Sequence, residues 1–334
     1  MIFVTGGTGF LGSNLIKFLI REGKKVRALR RPSSSMNLLG DFEKEVEWVE
    51  GDILDVTVLH EACEGVEQVY HSAAMISFVP KKRYQMMKIN VEGTANVVNA
   101  CLNTGVQKLM HVSSISAFGR TKSDTVIDEE FEWKEAKDHT NYAICKHLSE
   151  HEIWRGYHEG LKSVIVNPAT ILGAGNWTSG PGLIFNKIWN GLSFYPKGMN
   201  GYVDVRDVVQ TMIQIMNSSA EGEKFILNAE NIYFKDLFFA IADELKKKRP
   251  SIKLNKTLGL LARIAESISS FISGNDPIVT RETLRSTQRE FRYSNEKTRK
   301  FLNYEFMPMK QTIEETCAVF LESQNEGKNF GVFF

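Results

Sequence analysis

Short runs of apolar, mostly β-branched residues alternate along the first half of the chain with longer segments whose apolar positions recur every three or four residues. Runs too short for a helix and nearly continuous in apolar side chains read as strands buried on both faces. They predict strands over Ile2–Thr5, Lys25–Leu29, Val46–Glu50, Val66–His71, Lys108–Ser113 and Ser163–Asn167. The helical period predicts helices over Leu11–Arg21 and Arg83–Leu102, the second burying Met87, Val91, Val98 and Leu102. Strands and helices alternating in this way specify an α/β architecture, a doubly wound parallel sheet with helices on both faces.

After Pro168 the rhythm breaks. A Gly-rich stretch runs from Gly173 to Gly182, followed by a helix near Leu183–Trp189 and an apolar loop at Phe194 and Tyr195. Tyr202–Ile215 reads as a further helix and Lys224–Leu227 as a strand returning to the sheet, while the chain from Phe234 onward is mostly helical. The expected division is a sheet-bearing domain from residues 1–172 and 201–229, with a smaller, mostly helical C-terminal domain from 173–200 and 230–334. Leu258–Ile272 is strongly apolar but carries Arg263 and Glu266 at helical spacing, so it falls short of a membrane span and reads as a surface or lid helix.

Composition narrows the partners. The 334 residues carry 41 Lys and Arg against 40 Asp and Glu, a net charge of +1. That balance gives no basic footprint for nucleic acid or an anionic membrane and points to a small-molecule partner. Cys63, Cys101, Cys145 and Cys317 lie far apart without C-x-x-C spacing, which argues against a zinc site and a disulfide framework and suits a reducing, cytoplasmic setting. Met1–Thr5 already reads as a strand, so no signal peptide is expected.

Thr5-Gly6-Gly7-Thr8-Gly9-Phe10-Leu11-Gly12 joins the first strand to the first helix, where free N–H groups and the helix dipole can hold a pyrophosphate. Gly7, Gly9 and Gly12 satisfy G-x-G-x-x-G, while Gly6, Gly9 and Gly12 give a pitch of three on the same segment. An NAD-preferring chain places an acid at the end of the second strand to bind the ribose 2′-hydroxyl. Here that place reads Leu29-Arg30-Arg31, and guanidinium groups bind a 2′-phosphate by charge-assisted hydrogen bonds, so NADP(H) is the expected cofactor with NAD(H) as the alternative. Gly51-Asp52-Ile53 follows the third strand, where Asp52 can accept from an adenine amino group.

Tyr142 and Lys146 stand four apart in a segment of helical character and project from one face. A nearby ammonium is expected to stabilise the phenolate and lower the tyrosine pKa toward the range of general acid–base work. Ser114, just past the fifth strand, can donate to the same substrate oxygen. Read together, these predict a proton donor beside a hydride site.

At these motifs the chain resembles the extended short-chain dehydrogenase/reductases, a Rossmann-fold family of NAD(P)-dependent enzymes. The resemblance rests on the Gly-rich loop, Gly51-Asp52-Ile53, His71-Ser72-Ala73-Ala74, Asn90-Val91-Glu92-Gly93-Thr94, Ser113-Ser114, Tyr142 with Lys146, and Asn167-Pro168, in that order over nearly the whole chain. It implies Ser114, Tyr142 and Lys146 as the catalytic set, with Lys146 also bonding the nicotinamide ribose. It further implies that Ala73 and Ala74 line the cofactor, that Asn90 helps hold the central strands, and that Pro168 lies beside the nicotinamide. It also implies a homodimer through the helices over Arg83–Leu102 and Tyr142–His158. Val26–Arg31 and Asn167–Gly173 are similar to the dihydroflavonol 4-reductase branch and to hopanoid-associated sugar epimerase-like proteins. In that branch an Arg commonly stands where Arg31 does, which supports NADP. Nucleotide-sugar enzymes of the family carry an Arg before their late Val-x-Asp motif. This chain has Asn200-Gly201-Tyr202-Val203 there, with Arg206 or Arg281 as possible substitutes.

The resulting expectation is a reductase of a ketone or aldehyde on a small, moderately apolar substrate. The alternatives are a nucleotide-sugar epimerase or dehydratase and a non-catalytic NADP-binding redox sensor. His147-Leu148-Ser149-Glu150-His151 also matches the H-x-x-E-H zinc motif, but it competes with Lys146 for one helix, and no metal is expected. Met75, Phe78, Phe118, Phe185, Phe194, Tyr195 and Phe271 are candidate pocket aromatics and thioethers whose default is core packing, with Phe118 and Met75 favoured for the pocket because they follow strand ends.

Overall fold

The computed structural model describes residues 1–119, 125–134, 139–254 and 280–333. The segment Leu258–Ile272, with Phe271, lies outside the described residues, as does the side chain of Arg281. Seven strands form the central sheet: β1 (Ile2–Thr5), β2 (Val26–Arg30), β3 (Glu47–Glu50), β4 (Gln68–His71), β5 (Lys108–Val112), β6 (Ser163–Pro168) and β7 (Glu223–Leu227). Their spatial order is β7-β6-β5-β4-β1-β2-β3 and every pairing is parallel. The order reverses direction between β1 and β4, and open sheets of this kind take their ligands at the C-terminal strand ends beside such a reversal.

Both faces are covered, so alternate residues of one strand enter different cores. Val4, Met110 and Val166 face the helices Phe10–Arg21 and Val205–Asn217. Phe3, Leu109 and Ile165 face Val56–Cys63, Gly93–Thr104 and Asn141–His158. This period of two explains why the strand runs are apolar throughout. A third core gathers Leu172, Trp177, Phe185, Tyr202, Ile241 and Phe320. Beside it a three-stranded sheet pairs Met199–Asp204 with Thr170–Leu172 in parallel and with Glu230–Tyr233 antiparallel.

Three expectations are corrected. The segment from Tyr202 is not helical at its start: Met199–Asp204 is a strand, and the helix begins at Val205, where the Asp204 carboxylate accepts from Arg206 N at 2.7 Å as its cap. The helix over Arg83–Leu102 is not continuous. It runs as Arg83–Met87, a π-helical turn over Lys88–Glu92, and Gly93–Thr104. The wider turn rotates the phase, so Met86, Asn90, Val97, Val98 and Cys101 are buried while Met87, Val91 and Leu102 are only partly so. Phe194 and Tyr195, expected as a loop, form a short strand paired with Ile252–Lys253.

Candidate active site

The phosphate loop is shaped by contacts that only glycine permits. Gly6 has φ +71°, and a Cβ there would stand 2.7 Å from Ala73 N. A Cβ on Gly12 would meet Gly6 O at 2.2 Å, so the first helix packs directly on the loop. Gly9 N donates to Gly6 O at 3.0 Å, and Gly9 caps the helix without a side-chain hydrogen bond, leaving first-turn N–H groups to a ligand. Gly6 and Gly12 thus meet face to face across the loop, while a Cβ on Gly7 would stand 2.6 Å from Ile16 Cδ1. Gly12→Ala is expected to weaken dinucleotide binding about tenfold or more and to cost about 1–3 kcal/mol, read by fluorescence titration and thermal melting. Unchanged binding would remove this loop from the site.

A cavity of about 440 Å³ opens in front of the loop. Gly6, Gly9, Asp52, Ile53, Ala73 and Ala74 line it, as do Arg30 and Arg31. The two arginines differ. Arg30 stands 3.7 Å from Glu50 and leaves its Nε buried without a partner, while Arg31 is exposed in a turn where its N donates to Ser34 Oγ at 3.2 Å. Asp52 uses Oδ1 to accept from Leu54 N at 3.0 Å. Glycine cradle, orphaned guanidinium nitrogen and an exposed Arg31 whose guanidinium has no ion pair among the described residues together fit an anionic dinucleotide.

Phe10, Leu11, Asn90 and Pro168, also expected at the cofactor, are not among the residues that line this cavity. Phe10 starts the helix and packs where a Cβ on Gly175 would be 2.7 Å from its ring, and Leu11 is buried in the core. Pro168 ends β6 in register with Leu227. Asn90, turned inward by the π-helical turn, accepts from Met75 N at 2.7 Å and donates to Met75 O at 2.9 Å. Its own carbonyl accepts from Ser149 Oγ at 2.8 Å and Thr94 Oγ1 at 2.6 Å. Thr94 in turn contacts His71 Nε2 at 2.9 Å, and His71 Nδ1 contacts Thr5 Oγ1 at 2.7 Å. Burial holds His71 neutral, with its pKa pushed down to about 3. Asn90 thus fixes the Ala73-Ala74-Met75 wall through a chain of satisfied polar groups.

Sequence reasoning missed several lining residues. Ser72 and Gly51 stood inside quoted motifs, and Ser34 follows Arg31 in the same turn. Gln85 and Ile89 reach the cavity from around the π-helical turn, for which no sequence signal was read.

Ser114, Tyr142 and Lys146 converge at the end of β5. Thr140 caps the helix Asn141–His158, its Oγ1 accepting from Ala143 N at 3.0 Å, so Tyr142 and Lys146 face inward at 9% and 3% exposure. The Ser114 hydroxyl accepts from Ser116 N at 3.2 Å and adjoins the Tyr142 phenol, where it works against the rise of that group's pKa. Lys146 Nζ donates to Val112 O at 2.8 Å. The expected lowering of the tyrosine pKa is corrected. Burial pushes Tyr142 up to about 12, Ser114 opposes this, and the phenol is protonated at neutral pH. Desolvation brings Lys146 down to about 8, against the pull of Glu150. The site holds a neutral proton donor beside a cation that titrates readily.

The side chains around Tyr142 are apolar: the Phe78 ring lies edge-on at 6.2 Å, with Met75, Met86, Met87 and Cys145 adjoining. Phe118 is not part of this wall. It is 3% exposed in the core, with Lys224 Nζ 4.6 Å above its ring. Arg206 is likewise spent, bonded to Asp204 at 2.9 and 2.8 Å, to Glu315, and stacked 4.1 Å from the Phe333 ring. It does not replace the arginine missing at position 200. In the H-x-x-E-H segment His147 stacks on Trp133 at 4.1 Å while Glu150 turns into the core, and among the described residues no three His, Cys, Asp or Glu side chains gather as metal ligands.

Known proteins share this arrangement of elements. Sterol demethylase protein B of Methylococcus capsulatus is 32% identical over 68% of this chain and 69% of its own length. The Synechocystis protein named as a dihydroflavonol 4-reductase is 29% identical over 97% of this chain and 95% of its own. The crystal structure of gox2253 superposes with a TM-score of 0.82 at 29% identity, covering 96% of this chain and 98% of that one. The family model for NAD dependent epimerases and dehydratases matches residues 2–229, the span that carries the glycine loop, Ser114, Tyr142 and Lys146. The chain therefore belongs to the NAD dependent epimerase/dehydratase family, whose members are NAD(P)-dependent oxidoreductases.

Proposed function

We propose that the protein is an NADP(H)-dependent reductase of a ketone or aldehyde on a small, moderately apolar substrate, working by Ser114, Tyr142 and Lys146. The observation that carries this reading is the buried Tyr142 phenol, set beside Ser114 and on the same helix face as Lys146, and walled by Phe78 and the methionines. A bound nicotinamide supplies the hydride that goes to the carbonyl carbon. Tyr142 delivers its proton to the carbonyl oxygen, Ser114 donates to the same oxygen as charge develops, and Lys146 stabilises the phenolate left behind. Gly6, Gly9 and the N–H groups opening at Phe10, Leu11 and Gly12 hold the pyrophosphate. Asp52 and Ile53 take the adenine side, Ala73, Ala74 and Pro168 border the cofactor, and Arg31 with Arg30 reads the 2′-phosphate. In this reading residues 1–172 and 201–229 carry the cofactor, and residues 173–200 with 230–334 shape the substrate side. A homodimer would join through the helices from Arg83 and from Asn141, where Tyr84 is 78% exposed. No described helix is long and apolar enough to cross a membrane.

The reductase reading is favoured over a nucleotide-sugar one because Asn200 donates to Thr170 Oγ1 at 2.9 Å where an arginine would be needed, and because Arg206 is already paired. The test is a paired fluorescence titration of NADPH and NADH on the wild type and on Arg30→Ala/Arg31→Ala. Losing two charge-assisted donors should weaken NADPH about ten- to a hundredfold and leave NADH unchanged. Turnover of a dihydroflavonol or a 3-oxosterol with NADPH, and none of a UDP-sugar, completes the expected result. Equal binding of both cofactors, insensitive to the mutations, overturns the 2′-phosphate assignment.

A further inference from the structure

Three consecutive residues at the end of β5 are each tied to a different turn of the helix Asn141–His158. Val112 accepts from Lys146 Nζ at 2.8 Å, the Ser114 hydroxyl adjoins the Tyr142 phenol, and Ser113, between them, donates through Oγ to Glu150 Oε1. Glu150 lies one helical turn beyond Lys146 and two beyond Tyr142, on the same inward face. Only the first two turns carry residues with a role in the proposed chemistry. The third carries a carboxylate at 4% exposure, in the layer beneath the active site.

That carboxylate does more than hold Ser113. The same Oε1 accepts from Asn167 Nδ2 at 2.6 Å, and Asn167 Nδ2 also donates to the main-chain oxygen of Ser114 at 3.0 Å. Asn167 is fully buried at the end of β6, and Ser113 is 5% exposed. One oxygen of Glu150 therefore clamps the ends of two neighbouring strands to the helix that presents Tyr142. Asn167 thus holds the main chain of Ser114, whose hydroxyl adjoins the Tyr142 phenol. A buried carboxylate is costly to hold unless its lone pairs are used, and two short donors in a dry site are the arrangement that makes it tolerable.

We propose that Glu150 is a positioning residue of the reaction: it sets the separation of Ser114 from Tyr142 through Ser113 and Asn167, and its negative charge keeps the Lys146 ammonium charged beneath the phenol. The charged and polar groups around it support both halves. Lys146 faces it from the same helix and Lys224 from β7, while Ser113, just past β5, and Asn167 of β6 donate to it. Around Lys146 the other titratable neighbours are Cys145, His71 and His111, and burial holds both histidines neutral, so Glu150 is the carboxylate that opposes its desolvation. Burial raises the Glu150 pKa, and the four surrounding groups work against that rise.

The inference rests on the reductase reading for its kinetic consequence but not for its electrostatic one, and the two are separable by experiment. Glu150→Gln keeps an acceptor oxygen for Ser113 and Asn167 and removes the charge. Glu150→Ala removes both. In protein labelled with ¹³C at lysine Cε, Lys146, identified by loss of its signal in Lys146→Met, should titrate lower by about half a pH unit or more in Glu150→Gln than in the wild type. With the dihydroflavonol or 3-oxosterol that the wild type reduces, Glu150→Ala should lose about ten- to a hundredfold in kcat with KM and NADPH affinity unchanged. Glu150→Gln should recover most of that loss and move the alkaline limb of the pH profile downward. A Lys146 titration identical in wild type and Glu150→Gln overturns the charge role whatever the substrate proves to be. Full kcat in Glu150→Ala overturns the positioning role. Absence of any carbonyl reduction by the wild type counts against the reductase reading alone, since the lysine titration still decides this one.

Discussion

Tyr142→Phe is expected to bind NADPH as the wild type does and to lose about three orders of magnitude in turnover. The substitution removes one oxygen from a side chain already 9% exposed and packed edge-on against Phe78, so the ring and its neighbours keep their places. What disappears is the proton that must reach the substrate oxygen as hydride reaches carbon, and positioned general acids contribute about 10²–10⁴ to such steps. The size of the effect follows from the state of the phenol. With its pKa pushed up to about 12 by burial, Tyr142 is protonated across the neutral range and acts as a donor without prior titration. The pH dependence of reduction should accordingly show its alkaline limb near the Lys146 value of about 8, where the cation that supports the phenolate is lost, and not at the tyrosine. Single-turnover kinetics with NADPH measures both quantities. Turnover within threefold of wild type in Tyr142→Phe would remove the tyrosine from the mechanism.

The sequence carried the sheet to within a residue or two at each strand end, because parallel strands covered on both faces are apolar at every position and end where glycine or a polar turn begins. Strand Ser163–Asn167 extends only to Pro168, and the fifth strand stops at Val112 so that Ser113 and Ser114 are free to turn toward the helix. The π-helical turn was not legible. One extra residue in a hydrogen-bonded turn leaves the composition of Arg83–Leu102 unchanged and appears only as a displaced apolar stripe, with Asn90 buried where a polar residue would be expected outside. The site was legible as residue types and spacings, but its electrostatics were not. Tyr142 and Lys146 at i and i+4 suggested that the ammonium would lower the phenol; in the folded chain Lys146 is drawn to Val112 O, and the absence of water around the ring dominates. Glu150 shows the same limit. The sequence showed it only as part of an H-x-x-E-H match, whereas Ser113 and Asn167 reach it from 37 and 17 residues away in sequence, and no local pattern encodes that meeting.

Lys146→Met should abolish turnover and, at neutral pH, make the protein more stable. The unperturbed lysine value is 10.5, and burial brings the folded one to about 8. Below the folded value both states carry the proton, and the folded state bears the whole cost of keeping an ammonium out of water, which for a shift of about 2.5 units is about 3 kcal/mol. Between the two values the unfolded chain holds more protons than the folded one, so raising the pH through this window relieves the cost and stability rises. Methionine matches the stem of lysine and removes the charge, but it strands Val112 O without its donor, at about 1–3 kcal/mol. The net expectation is a gain of about 1 kcal/mol and a melting temperature about 2 °C higher near neutral pH. The sign should reverse above the titration of the unfolded lysine, where the wild-type amine is neutral in both states and only the lost hydrogen bond to Val112 remains. Thermal melts of both proteins across this range read the crossover directly, and parallel melting curves at every pH would show that Lys146 is not held as a strained cation. In the proposed mechanism a site that gives up stability to keep a charged lysine one helical turn from a neutral tyrosine serves proton delivery, and the residue that would stabilise the fold by leaving is the one that mechanism needs.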